Sequence, residues 1–314
     1  MSGAKWVWMN GSVVPHDDAK LHVSSTALHF GPTAFEGIRC YAFDDGRTNF
    51  FRLSEHIERL HASARALHLE IPFSAEELEQ ACMEVVLANG HADAYIRPVA
   101  FPGAGTLGFG RPGGPAETCI LSFPWQNAHL ERSQARGIRV HISSVIRTEA
   151  HPVMSKSKIS ANYAAGLLAI YEAREAGYDD ALLLDGAGAV AEASTSNVFA
   201  AWGGRLVTPP LRLPILAGIT RDALITLGRE EGLDVVEETF DAGELASADE
   251  VFISGTTSEI TPVREVDGRQ VGDGTPGPVT RRLMTALSNA ILGHGPERGW
   301  SHPLRGVDCA STRD

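Results

Sequence analysis

Positive charge is scarce in this chain: 27 Lys and Arg stand against 39 Asp and Glu, for a formal net charge of −12 and a sequence pI near 5.5. Nucleic-acid binding rests on clustered cations, so no nucleic-acid partner is expected. Cysteine is scarce too. Cys40, Cys82, Cys119 and Cys309 lie far apart, without a CxxC pair or a His at ligand spacing, which argues against a disulfide framework and against a metal centre. No apolar run reaches membrane-spanning length, and the opening MSGAKWVWMNG lacks the apolar stretch of a secretory signal. A cytoplasmic protein with no membrane partner is the expectation. No GxGxxG opens a helix after a strand, and GxxxxGK[ST] and GxSxG do not occur, so the common nucleotide and hydrolase signatures fail.

What is present suits a folded enzyme. A chain of 314 residues, 43% hydrophobic, can bury a full core and suits two domains. Asn10-Gly11, between apolar stretches at 6–9 and 12–14, predicts an opening hairpin, because this pair tolerates two positive φ angles. Extended segments are expected at 35–43 and 48–53, reversing at Asp44-Asp45-Gly46. Helices are expected at 54–67, capped by Ser54, and at 74–88, stopped by Asn89-Gly90. Strands at 95–100 and 119–123 complete an α+β domain over 1–124. Gly and Pro crowd residues 102–115, and 125–135 turn polar, so the latter read as an interdomain loop. Residues 136–314 then form a larger domain of α/β type. Its strands are expected at 139–145, 181–184, 198–201 and 251–254, its helices at 162–176, 220–231 and 278–292. Residues from Gly293 on have few apolar side chains and are expected to be partly disordered.

Two local patterns suggest chemistry. Lys158-Ile159-Ser160-Ala161-Asn162-Tyr163 leads into a helix of small and apolar residues, an unusual setting for a lysine. Burial disfavours the ammonium, and a neutral amine condenses with aldehydes. On this argument alone Lys156 is an equal candidate. Tyr95 and Arg97 flank Ile96, so on a strand the hydroxyl and the cation share one face while Ile96 points to the core.

Several separated motifs, in order from Trp6 to about Pro278, resemble the branched-chain amino-acid aminotransferase family of fold-type IV pyridoxal-phosphate enzymes. They are Ala27-Leu28-His29-Phe30-Gly31, Phe35-Glu36-Gly37-Ile38-Arg39, Glu55-His56-Ile57-Glu58-Arg59-Leu60, Tyr95-Ile96-Arg97-Pro98, Gly218-Ile219-Thr220-Arg221-Asp222 and the stretch from Ser254-Gly255-Thr256-Thr257-Ser258-Glu259 to Val263. The resemblance implies a two-domain fold with a large cofactor-binding domain and pyridoxal 5'-phosphate as cofactor. It implies a homodimer or higher homo-oligomer exchanging amino groups between branched-chain L-amino acids and a 2-oxo acid. It selects Lys158, four residues before Asn162-Tyr163, as the Schiff-base lysine and proton shuttle. Tyr163 is expected at the cofactor's phenolic oxygen and Glu192 at its pyridine nitrogen, where a carboxylate keeps the nitrogen protonated and the ring electron-withdrawing. Arg59, Ile219, Thr220 and Thr256 are expected around the phosphate, the amides of Ile219 and Thr220 opening a helix. Phe35, Gly37 and Trp125 are expected to line an apolar substrate pocket, with Tyr95 and Arg97 at its polar end and the α-carboxylate near Thr257 and Ser258.

The chain departs from the family pattern mostly around the substrate. Phe30 and Ala128 stand where relatives commonly have Tyr, Phe109 replaces a smaller aliphatic residue, and Thr257 and Ser258 replace two alanines. Ala193, Thr195 and Ala217 differ as well. A D-amino-acid or (R)-amine transaminase, or an aminodeoxychorismate lyase, shares the scaffold, and fold alone does not separate these activities. A non-enzymatic module would be expected to have lost Lys158 or Glu192.

Overall fold

The hairpin expected at Asn10-Gly11 is the first element of a computed structural model that describes residues 4–43, 45–103, 116–148 and 151–304. Trp6–Met9 pairs with Ser12–Pro15, and Asn10 and Gly11 take φ of 49° and 97° between them. Contacts divide the chain into two units, Met1–Trp125 with Lys158–Ala161 and Ile291–Asp314, and Gln126–Ser157 with Asn162–Ala290. Leu107-Gly108-Phe109, most of the 102–115 loop, Asp44 and Cys309 lie outside the described residues.

The first unit is built on an antiparallel sheet. Its strands run in the order Ser301–Pro303, Thr48–Phe51, Ile38–Ala42, Ala94–Pro102, Ala116–Pro124, Trp6–Met9 and Ser12–Pro15, with Ala34–Phe35 also on Ala94–Pro102. Helices Leu53–Ala66 and Ala75–Asn89 bring Leu53, Ile57, Leu60, Leu78, Cys82 and Val85 into one apolar core with Ile38, Phe50, Ile96 and Ile120 of the sheet. The second helix starts on a capping box in which Ser74 and Glu77 satisfy each other's backbone N–H, and it ends at left-handed Gly90.

The second unit holds a mixed sheet in the order Val190–Ala193, Asp180–Leu184, Ile138–Ile142, Glu259–Val266, Glu250–Gly255, Asn197–Trp202, Arg205–Thr208 and Asp234–Glu237. Ile138–Ile142 runs parallel to both its neighbours, as a strand reached through crossover connections does. Tyr163–Glu175, Ile219–Glu230 and Pro278–Ile291 are the longer helices, close to their expected limits.

Four expectations are corrected. The segment expected to be extended over 35–43 is two strands, interrupted at Glu36 and Gly37 because the Glu36 carboxylate turns inward. Ser54 does not cap its helix: the N-cap is Arg52, in left-handed conformation, with its N–H donated to the Trp300 carbonyl at 2.7 Å. The Ser54 hydroxyl lies 3.1 Å from His302 Nε2 instead. The polar stretch 125–135 contains the helix Ala128–Arg136, because no Gly or Pro interrupts it and buried Leu130 anchors it. Two parts of the expected 136–314 domain cluster with the first unit. Lys158–Ala161 runs extended against 33–35, with Phe35 N–H donated to the Lys158 carbonyl (3.0 Å) and Ser160 N–H to that of Thr33 (2.9 Å). The stretch from Gly293 on, expected to be partly disordered, is described as far as residue 304, and there it returns to the sheet as Ser301–Pro303, where Trp300 stacks edge-on against Phe51 beneath the Arg52 guanidinium.

Candidate active site

In the first unit the expected residues gather around Lys158. Its backbone N–H donates to Ser63 Oγ at 2.9 Å, and its Nζ lies 5.2 Å from the centre of the Phe35 ring. Burial pulls its amine down to about 8, while the nearby Glu36 carboxylate opposes that shift and Arg59 adds to it. Lys156 is exposed. The structure thus separates two lysines that local sequence could not, and an amine with this lowered pKa is partly neutral near physiological pH.

Tyr95 and Arg97 share a face as alternation requires, and Ile96 is fully buried behind them. Arg97 Nη2 donates to the Tyr95 hydroxyl at 2.6 Å, and its guanidinium lies 4.6 Å from the Phe35 ring centre. Tyr95 also neighbours the Trp125 ring. Gly37 makes room for this arrangement, since a Cβ there would collide with the Tyr95 hydroxyl. Among the described residues Arg97 Nε and Trp125 Nε1 are buried without a hydrogen-bond partner, an arrangement that suits a polar ligand.

Arg59, expected at a phosphate, is engaged in this structure by a residue given no role in the sequence reading. Its Nε and Nη2 donate to the two oxygens of Glu36, at 2.7 and 3.0 Å, and His56 Nδ1 donates to the same carboxylate at 2.7 Å. Glu36 is fully buried; burial alone would make it a weaker acid, yet Arg59 and His56 hold its carboxyl well below the usual carboxylate range. The only sequence signal was its place inside the Phe35-Glu36-Gly37-Ile38-Arg39 motif.

A second group lies in the second unit. Glu192, on Val190–Ala193, accepts the Leu216 N–H at 3.0 Å and pairs with Arg147 Nε at 2.8 Å. Arg147 also donates to the carbonyls of Pro214 (3.1 Å) and Asn162 (3.0 Å), tying Glu192 to the turn that opens the Tyr163 helix. Sequence reading missed Arg147, which carries no motif of its own. Asn162 Nδ2 completes that turn through the carbonyls of Met154 and Ser157. The helix Ile219–Glu230 begins after extended Gly218 without a side-chain cap, with Ile219 and Thr220 buried, a helix start suited to an anion. Thr256, Thr257 and Ser258 form the turn between Glu250–Gly255 and Glu259–Val266, where Ser258 Oγ lies 2.9 Å from Ser196 Oγ.

Each unit by itself offers groups that suit a phosphorylated aldehyde cofactor: the first a partly buried lysine with a lowered pKa and an arginine fork, the second a helix start without a side-chain cap and a carboxylate held by arginine. The profile of the family described as amino-transferase class IV matches residues 33–266. The branched-chain-amino-acid aminotransferase of Escherichia coli (strain K12) is 41% identical over 299 residues, 95% of this chain and 96% of that protein. Among solved structures, a T.th. branched-chain amino acid aminotransferase with pyridoxamine 5'-phosphate superposes with a TM-score of 0.92 at 41% identity, covering 97% of this chain and all of that one. A branched-chain aminotransferase from Thermoproteus uzoniensis with norvaline gives 0.90 at 36% identity, over 96% of this chain and all of that one.

Proposed function

Because the chain belongs to the class IV aminotransferase family, we propose that it moves amino groups between branched-chain L-amino acids (Leu, Ile, Val) and a 2-oxo acid such as 2-oxoglutarate, with pyridoxal 5'-phosphate carried on Lys158. The observation that carries this reading is Lys158 itself, beside Phe35 with its amine drawn down to about 8. The cofactor, when bound, supplies the aldehyde that accepts the amino group and a ring that withdraws electrons from the α-carbon.

The protein's own groups do the rest. Lys158 Nζ, neutral for part of the time near pH 8, would take the proton from the substrate α-carbon and deliver it to the cofactor's aldehyde carbon, a general base and then a general acid. Glu192, paired with Arg147, would face the ring nitrogen, where a carboxylate favours the protonated form. Tyr163 would donate to the cofactor's phenolic oxygen. Arg59, the amides of Ile219 and Thr220, and Thr256 take the phosphate. Phe35, Gly37 and Trp125 border the aliphatic side chain, Arg97 and Tyr95 meet a second carboxylate when one is present, and Thr257 and Ser258 take the α-carboxylate.

The reading includes a cytoplasmic homodimer or larger homo-oligomer. Leu167, Leu168 and Tyr171, on the helix Tyr163–Glu175, are each more than half exposed, a large apolar surface for a lone subunit. Among the described residues no helix is long and apolar enough to cross a membrane. Steady-state rates over a panel of L- and D-amino acids, (R)-amines and 2-oxo acids test the activity. Efficient turnover of Leu, Ile and Val is expected; turnover confined to D-amino acids or (R)-amines would overturn the substrate assignment. Light scattering tests the assembly, and an active monomer would contradict it.

A further inference from the structure

We propose that Glu36 is a positioning residue of the aminotransferase centre, whose buried carboxylate fixes the plane of the Arg59 guanidinium and with it the cofactor's phosphate contact. This rests on the reading of Arg59 as a phosphate donor given above. A wholly buried carboxylate is costly and is retained only where it is fully paired. Glu36 meets that condition with two parallel N–H donors from Arg59, one from His56, and the Gly37 N–H at 3.2 Å. Such a pair is poor evidence of a contribution to stability, since apolar residues of the same volume often serve a fold as well. Its geometry is what the two-point fork specifies, because a guanidinium held at two nitrogens cannot rotate about its long axis.

The location agrees. Phe35, just before Glu36, lies under the Lys158 amine and holds the Lys158 carbonyl through its N–H. Gly37, just after it, makes the space for the Tyr95 hydroxyl. One three-residue segment therefore touches the reacting lysine, the phosphate arginine and the substrate-side tyrosine. Charge agrees as well. The groups acting on Lys158 are Glu36 and Tyr95, which favour its ammonium, and Arg59 and Arg97, which disfavour it. His56 is driven toward its neutral form by burial, so Glu36 is the anion that offsets Arg59.

The test is phosphate discrimination by the apoenzyme: the ratio of the dissociation constants for pyridoxal and pyridoxal 5'-phosphate, from absorbance titrations, with circular dichroism to verify the fold. Glu36→Gln is expected to lower that ratio about tenfold, the loss of one oriented charge-assisted contact, while pyridoxal alone binds almost as in the native protein. Arg59→Lys lowers the ratio too, and the double variant adds little to Arg59→Lys. Glu36→Asp, which keeps the charge but falls short of the fork, gives an intermediate loss. Native discrimination in Glu36→Gln beside a loss in Arg59→Lys overturns the inference and leaves the Arg59 reading standing. Native discrimination in Arg59→Lys overturns both. If Glu36→Gln does not fold, Glu36→Asp decides, and native discrimination there refutes the fork. Competitive acetylation of Lys158 in the apoenzyme gives a second readout. Its pH midpoint is expected to fall below the native value in Glu36→Gln, since Tyr95 alone then opposes Arg59 and Arg97; an unchanged midpoint counts against the charge role.

Discussion

The two units each bury a glutamate against an arginine, and they do so differently. Glu36 has no exposed surface and is gripped wholly by side chains and its own neighbour's amide, whereas Glu192 keeps 11% of its side chain exposed and takes its main-chain contact from Leu216. A carboxylate with no exposed edge can orient only what already surrounds it. One with an exposed edge, pinned on the other side, can still meet a ligand atom. Glu36 therefore shapes the surroundings of Lys158, and Glu192 is the carboxylate suited to a ring nitrogen. The lesson is that burial with an arginine does not by itself mark a carboxylate's role.

The comparison breaks first at the lysine. If the first unit contributes the reacting amine, Lys158→Ala should lower kcat by at least ~10⁴-fold, as loss of a covalent and proton-transferring group does. Lys156→Ala, at an exposed position, should stay within about twofold of the native rate. Equal losses in both, measured at saturating cofactor, would remove the basis for choosing Lys158.

Glu192→Gln sharpens the contrast from the other side. The neutral amide cannot hold a pyridinium, so cofactor is expected to remain bound while kcat falls roughly 10²- to 10³-fold, the range for loss of one preorganised electrostatic contact. A solvent-exchange assay of the substrate α-proton should show the same fall. Near-native exchange would mean that Glu192 does no more than brace Arg147. Gly37→Ala is expected to act less strongly and elsewhere. The added methyl displaces the Tyr95 hydroxyl and its contact with Arg97, so KM for 2-oxoglutarate should rise about tenfold with a smaller change in kcat. If KM for leucine rises equally, Gly37 shapes the whole pocket and not its polar end.

Much of this was legible in the sequence, for physical reasons that also mark the limit. Asn10-Gly11, the Asn89-Gly90 helix stop and the Tyr95-Ile96-Arg97 alternation are decided by residues within a few positions of one another, and each appears as read. Where partners are distant, reading failed. Arg52 displaces Ser54 as cap because Trp300 and His302 stand opposite, and nothing near Ser54 announces them. Glu36 gains its meaning from Arg59 and His56, and Arg147 from Glu192, pairings that only the folded chain makes. The helix Ala128–Arg136 shows a different failure, a polar stretch taken for a loop although its residues favour helix.

The smallest expected effect concerns glutamate as donor. A second carboxylate must be held where an aliphatic side chain otherwise lies, and the hydroxyls that the family resemblance implies at positions 30 and 128 are absent, with Phe30 and Ala128 in their place. Arg97, oriented by its contact with Tyr95, is the cation proposed for that charge. A hydrogen bond to a charged group contributes about 1.5–3 kcal/mol when no water replaces it. Phe30 is 46% exposed, so water competes for such a contact and most of that contribution is lost to solvation. Phe30→Tyr is accordingly expected to raise kcat/KM for glutamate by only about threefold and to leave leucine unchanged. The measurement is the ratio of the two kcat/KM values in native and variant enzyme. A native enzyme that already uses 2-oxoglutarate efficiently, with a ratio unmoved by Phe30→Tyr, would show that Arg97 suffices and that the missing hydroxyls have no bearing on the choice of donor.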